Sequence, residues 1–166
     1  MSLHAFCAWL ANTPLSLLIQ NVAWIIPSVQ TIHILSVAIV ASSAAMIDLR
    51  LLGVVGRGHP TADFATRFLP WIWWTLIVLL CTGTILIIGE PARSLQNAAF
   101  QLKMCLLILA MGTTLLLQRP LSKDPAYWEL TPGHVARGRL LAVVSILLWV
   151  GIIFAGRWIA YMNVAE

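Results

Sequence analysis

Residues 68–89 read FLPWIWWTLIVLLCTGTILIIG, an apolar run that contains no charged side chain. About 20 helical residues cross the hydrocarbon core of a bilayer, so this run is long enough to span it. An open strand in lipid would leave its backbone N–H and C=O groups without hydrogen-bond partners, so the run must be a helix. Together with three similar runs, it predicts four membrane spans over residues 25–52, 68–89, 95–117 and 140–162.

The composition of the whole chain agrees with four spans. Of its 166 residues, 60% are hydrophobic and 10% are charged, whereas a soluble domain carries about 25% charged residues. So few charges cannot cover the surface of a soluble enzyme, and a disordered chain would not be so apolar. The sequence therefore predicts an all-α fold, an integral membrane four-helix bundle that forms a single transmembrane domain over residues 1–166.

The cysteines and the basic residues exclude several other classes of protein. Cys7, Cys81 and Cys105 lie far apart in apolar runs and form no CxxC pattern. That spacing excludes a disulfide scaffold, a structural zinc site and a covalently attached c-type haem. The formal net charge is +4, but the Lys and Arg residues lie at the ends of apolar runs rather than in one patch. We therefore expect the lipid bilayer as a partner and no nucleic acid, and leave a homo-oligomer or a larger membrane complex open.

Residues 1–24 precede the first span and contain no Lys or Arg, so they lack the positive region of a signal peptide. We expect them to form one or two short helices lying at the membrane interface. Asn12 or Thr13 is suited to cap the second of these helices, with Pro14 at its first position.

The basic residues also predict an orientation. Most of them lie in or beside the two longer connections between spans: Arg50, Arg57, Arg67, Arg119, Lys123, Arg137 and Arg139. The short connection between the second and third spans holds Arg93. By the positive-inside rule, the connections 53–67 and 118–139 are cytoplasmic and both termini are outside.

Ionisable side chains inside the spans are costly in lipid, and each therefore predicts a functional site. His33 and Lys103 each lie roughly 12 Å from the outer end of their span, at a rise of 1.5 Å per residue. Arg157 lies near the outer end of the last span, and Glu90 and Arg93 flank the short connection. We expect these five side chains around one cavity in the outer half of the bundle, where they would bind a cofactor.

Asp48 and Arg50 close the first span at its other end, in the motif IDLRLLG. The expected role of Asp48 is a structural ion pair that fixes the end of this helix, with Arg50, Arg67 or Arg137 as the cation. A role for Asp48 in carrying a proton or a substrate is the alternative.

Three kinds of function remain open, and no catalytic residue is predicted. His33 is the histidine that lies within a span, and its imidazole could be an axial ligand of haem b with a role in electron transfer. Lys103, Arg157 and Arg93 would then neutralise the haem propionates. The iron would be five-coordinate, or its second ligand would be a methionine such as Met104 or Met111 or a partner's residue. The alternatives are a non-catalytic accessory or assembly subunit, in which His33 and Lys103 bond across helices, and a small transporter of protons or anions. Copper handling is disfavoured because the sequence has no Met-x-x-Met pattern or histidine cluster.

Much of the chain resembles a bacterial family of four-helix membrane proteins that is known only as a domain of unknown function. The resemblance lies in the stretches HILSVAIVASSAAMIDLRLLG, FLPWIWWTLIVLLCTGTILIIGEPAR, NAAFQLKMCLLILAM and GRLLAVVSILLWVGIIFAGRWIAY. It implies the four-helix fold and a place in the bacterial inner membrane, and no biochemical activity. A histidine in the first span with a lysine in the third is more distantly similar to membrane-type protoporphyrinogen oxidases and, more loosely, to copper-resistance protein D. The first of these likenesses implies haem or porphyrin chemistry at His33 and Lys103.

Overall fold

The computed structural model describes residues 2–56, 58–159 and 161, and these residues form α-helices, one 3-10 helix and no strand. In chain order the helices are α1 (Leu3–Ala11), α2 (Pro14–Asn21), α3 (Ile25–Leu51), α4 (Thr61–Gly89), α5 (Pro91–Leu95), α6 (Ala98–Leu121), the 3-10 helix (Tyr127–Glu129) and α7 (Pro132–Trp158). Helices α3, α4, α6 and α7 are each long and apolar enough to cross a membrane. The predicted all-α bundle with four spanning helices is confirmed.

Hydropathy located the spans, but capping residues set where the helices begin. Helix α6 begins after Asn97, whose side chain accepts a hydrogen bond from the backbone N–H of Ala99. Helix α7 begins at Pro132, after Thr131, whose side chain accepts from the backbone N–H of His134. Helix α6 therefore begins three residues after the predicted start of its span at 95, and α7 begins eight residues before the predicted start of its span at 140, since its first turns are polar. The bounds of the membrane spans themselves stay a prediction. The predicted end of the last span at residue 162 lies outside the described residues.

The predicted segment 1–24 contains two short helices, α1 and α2. The side chain of Thr13 accepts a hydrogen bond from the backbone N–H of Ser16, and Pro14 occupies the first turn of α2. This confirms the predicted cap, since Pro is tolerated at a position whose N–H has no partner within the helix. The placement of both helices at a membrane interface stays a prediction.

Helices α1 and α2 pack across one end of the bundle, where α4 ends. The hydroxyl of Ser16 donates to the carbonyl oxygen of Ile88 at 2.6 Å, and Nε2 of Gln20 donates to that of Gly89 at 3.0 Å. A Cβ atom at Gly89 would lie 2.9 Å from Cγ2 of Ile19. The absence of a side chain at Gly89 therefore allows α2 to lie this close to the end of α4.

Helix α3 lies close to both α4 and α7, and α7 lies close to α6, whereas the backbones of α4 and α6 come close at few points. A hydrogen bond of 3.0 Å from Nε1 of Trp73 to Oε1 of Gln118 joins α4 and α6. Small and branched apolar side chains, together with the indole of Trp149, fill the interior of the bundle: Val40, Ala44, Ile47, Ile72, Leu79, Ala110, Ala142 and Ile152. The end of the bundle at which α3 begins is called here the His33 end, and the opposite end the Asp48 end.

Large apolar side chains cover the outside of the spanning helices. Examples that are exposed are Trp71, Trp74, Ile77, Leu80, Leu102, Ile108, Leu116, Leu140, Leu147 and Phe154. Such a continuous apolar surface is suited to lipid and not to water. The protein is therefore a multi-pass membrane protein whose helices contact lipid.

A single carboxylate, that of Glu129, joins several elements at the Asp48 end. Its Oε1 accepts hydrogen bonds from Nη2 of Arg50 at 3.1 Å, from the backbone N–H of Thr61 at 2.8 Å and from the Thr61 hydroxyl at 2.9 Å. Pro60 precedes α4 and makes no side-chain cap. Glu129 therefore supplies the acceptor and the negative charge that the start of a helix favours.

The predicted ion pair between Asp48 and Arg50 is wrong. Arg50 pairs with Glu129 instead. The physical reason is helix geometry, because residues two positions apart on a helix do not face each other. Asp48 points into the bundle and is buried, whereas Arg50 reaches the connection between α6 and α7.

Candidate functional site

Near the His33 end, side chains of α3, α4 and α6 meet at one histidine. Nδ1 of His33 lies 2.8 Å from the hydroxyl oxygen of Thr82 on α4. Its Nε2 lies 3.4 Å from Nζ of Lys103 on α6. The structure thus brings together the two span residues that matching depth had grouped.

The hydrogen bonds of Thr82 favour one of the two tautomers of His33, the one with the proton on Nδ1. The Thr82 hydroxyl donates to the carbonyl oxygen of Val78 at 2.8 Å, so its oxygen is left to accept from Nδ1 of His33. With the proton on Nδ1, Nε2 is the acceptor and Lys103 is its donor. All three hydrogen bonds therefore run in the same direction. Lys103 donates to His33, His33 donates to Thr82, and Thr82 donates to the carbonyl oxygen of Val78.

Two glycines lie beside this pair of side chains, and a Cβ atom at either would be at ordinary contact distance. A Cβ atom at Gly83 on α4 would lie 3.6 Å from Cε1 of His33, and one at Gly156 on α7 would lie 3.8 Å from Nζ of Lys103. His33 and Lys103 are half-buried between these helices. All four spanning helices therefore contribute to the surroundings of the pair.

The amino group of Lys103 has an imidazole beside it and no carboxylate from the described part of the chain. Across residues 2–56, 58–159 and 161, the ion pairs are those of Arg50 with Glu129 and of Arg93 with Glu90. An ammonium group within a span is unfavourable unless an opposite charge offsets it. Lys103 therefore offers a cation, inside the membrane, whose counter-charge the described chain does not supply.

The other predicted members of this site lie elsewhere. Glu90 and Arg93 pair with each other at 3.0 Å at the surface, with side chains 41% and 53% exposed. Arg157 is exposed and makes no described hydrogen bond to His33 or Lys103. The structure does not bring Glu90, Arg93 or Arg157 into contact with the pair, and their role in binding a cofactor stays a prediction.

The surroundings of His33 do not fit an axial ligand of haem. Such a ligand needs one ring nitrogen that faces open space for the iron. Here Nδ1 bonds to Thr82, and Nε2 faces Lys103 at 3.4 Å. Met104 follows Lys103 directly on α6, so its side chain points in a different direction from the one that reaches His33. In the part of the chain that the structure describes, no cluster of three or more His, Cys, Asp or Glu could hold a metal ion.

A second polar cluster, which the sequence analysis missed, lies in the interior near the Asp48 end. The Asp48 side chain is buried, and its Oδ2 has no hydrogen-bond partner. With Ser145, Thr113 and Thr114, Asp48 lines a small cavity between the four spanning helices. The signal that could have found this cluster is the presence of Thr113, Thr114 and Ser145 in otherwise apolar spans.

Comparison with known proteins identifies a family and no activity. Residues 11–162 match a family described as a family of unknown function, DUF6644. No curated protein and no solved structure gives a significant match.

Proposed function

Since the chain belongs to DUF6644, a family of unknown function, its role has to follow from its own residues, and we propose that the protein is a small transporter that carries an anion together with a proton. The observation that carries this proposal is the Lys103 amino group, which lies within a span beside His33 and has no carboxylate partner in the described chain. Lys103 and His33 form the binding site in this proposal.

An anion is the ligand that such a site favours. In a medium of low dielectric constant, the ammonium of Lys103 gains most from a negative charge placed next to it. Only one of its N–H groups is needed for Nε2 of His33, and the others are free to donate to an anion. An anion that binds here offsets the charge of the protonated amine, so anion and proton are expected to bind together.

Haem b has no part in this proposal, because both ring nitrogens of His33 already have partners within the bundle. The competing interpretation is the accessory subunit, in which the contact between His33 and Lys103 only joins helices. The two interpretations differ in one respect, since a bond that only joins helices predicts no flux of any ion.

We place the protein in the bacterial inner membrane with the His33 end outside. The connections at the Asp48 end hold most of the basic residues, and such connections stay in the cytoplasm. A fusion of alkaline phosphatase at position 57 is therefore expected to be inactive, and a fusion at Glu90 to be active. The reverse pattern of activities would contradict this orientation.

The transport proposal is tested with the purified protein in liposomes that contain a pH-sensitive dye. With potassium equal on both sides and valinomycin present, an inward gradient of chloride, nitrate, phosphate or sulfate is applied. We expect at least one of these anions to acidify the lumen faster than it does in liposomes without protein. Rates equal to those of protein-free liposomes for all four anions would contradict the proposal. So would a Soret band that is lost in His33→Ala, because that band would assign the histidine to haem.

A further inference from the structure

Four oxygen-bearing side chains from three helices take part in the lining of the cavity near the Asp48 end. Asp48 of α3, Thr113 and Thr114 of α6 and Ser145 of α7 all line it. We propose that this cavity is a binding site for a small monovalent cation, with Na⁺ as the ion that suits it best. The inference rests on this cluster alone and not on the site at His33.

The charge of the cluster is the first reason. Asp48 is 3% exposed, and its Oδ2 is buried without a hydrogen-bond partner. Among the residues that the structure describes, no Lys, Arg or His lines the cavity, and Arg50 is bonded to Glu129. A buried carboxylate without a counter-charge is costly, and a cation within the cavity would remove that cost.

The hydroxyl groups are the second reason. The hydroxyls of Thr113 and Thr114 donate to the carbonyl oxygen of Ala110 at 2.8 and 3.0 Å. Their hydrogens are therefore used within α6, and the lone pairs of their oxygens remain available as acceptors. A carboxylate with several hydroxyl oxygens is a set of hard ligands, which alkali and alkaline-earth cations prefer.

Size and charge together favour Na⁺ among these cations. The cavity has room for about one water molecule, which suits a small bare ion. One carboxylate balances one positive charge, whereas a divalent ion would leave an uncompensated charge in the bundle. Apolar side chains such as Ile72 and Leu117 complete the lining, so that the ion would be held away from bulk water. The absence of His and Cys from the lining is unlike a transition-metal site.

The test is thermal unfolding of the purified protein in detergent, at constant ionic strength and neutral pH, with choline chloride replaced stepwise by NaCl. A ligand that binds only the folded state raises Tm. We expect a saturable rise of roughly 2–4 °C with Na⁺ and a smaller rise with KCl.

Variants of the residues that line the cavity test whether the rise in Tm comes from Na⁺ bound there. Asp48→Asn is expected to remove the dependence on Na⁺, and Ser145→Ala to shift the rise to higher Na⁺ concentration. The matched control is Ser36→Ala, because the buried Ser36 hydroxyl bonds to the carbonyl of Ile32 and does not line the cavity. This control should keep the wild-type response to Na⁺. If Asp48→Asn does not fold, the Na⁺ dependence of Tm in the wild type and in Ser145→Ala still tests the proposal.

Two outcomes would overturn the proposal. A Tm that changes with pH but not with Na⁺ would identify Asp48 as a site for a proton only. A Tm that responds to neither would identify the cavity as a place for a trapped water. Lys103→Met separates this result from the transport proposal, since it should keep the response to Na⁺ whether or not it abolishes anion flux.

Discussion

Replacing Lys103 with Met is expected to lower proton-coupled anion uptake into liposomes at least about a hundredfold, because a loss of about 3 kcal/mol in binding corresponds to that factor. Methionine fills much of the same volume and is well accepted in lipid, so the helix should remain in place. What is lost is the positive charge that lies 3.4 Å from Nε2 of His33 and pairs with no carboxylate of the described residues. The measurement is the initial rate of lumen acidification under an anion gradient.

Lys123→Met is the matched control for this experiment. It removes the same charge from an exposed position in the connection between α6 and α7, and it should transport at the wild-type rate. Flux in Lys103→Met equal to that of the wild type would contradict the proposed anion site. If the contact with His33 only joined helices, the double variant His33→Leu, Lys103→Met would be as stable as the wild type, since apolar pairs often replace buried polar pairs without loss.

Replacing Glu129 with Ala is expected to lower the free energy of unfolding by about 2 kcal/mol. One carboxylate oxygen accepts from Arg50 and from both the backbone and the hydroxyl of Thr61. Its loss leaves the start of α4 without an acceptor. It also leaves Arg50, whose side chain is 14% exposed, without its carboxylate. The effect is smaller than for a fully buried pair because the Glu129 side chain is 36% exposed.

This loss of stability is measured by thermal unfolding in detergent, with Glu129→Ala compared with the control variant Glu90→Ala. Glu90 also pairs with an arginine, Arg93, but both side chains are exposed and lie within one helical turn. Such surface pairs contribute about 0–1 kcal/mol, so Glu90→Ala should unfold close to the wild type. Equal Tm values for the two variants would show that Glu129 contributes no more than a surface charge.

The parts of the fold that follow from local sequence were predictable. Four apolar runs in lipid have to be helices, and Thr13 followed by Pro14 indicates the start of α2 wherever it packs. The pairing of His33 with Lys103 was predictable as well, because a constant rise per residue places both side chains at the same depth. Depth carries no information on direction around a helix axis, and this is why Arg157 was grouped with the pair although it is exposed.

The parts that depend on contacts distant in sequence could not be predicted. Glu129 caps α4 from a position that follows α6, and no local pattern connects Glu129 to Thr61. The pairing of Arg50 with Glu129 has the same origin. Asp48 appeared to be one half of a local ion pair because Arg50 is close in sequence. Its actual surroundings depend on which faces of α6 and α7 turn towards α3, and hydropathy does not determine these faces.

The direction of the hydrogen bonds at His33 has a consequence for how protons could move. A Grotthuss wire needs every member to receive a proton on one side and release one on the other. The last member here is the carbonyl oxygen of Val78, which has no proton to release. In the proposed transporter, protons on Lys103 and His33 therefore have no exit along this chain of hydrogen bonds. Turnover in the proposed transporter would then require a helix rearrangement that exposes the pair to each side in turn, as in a carrier.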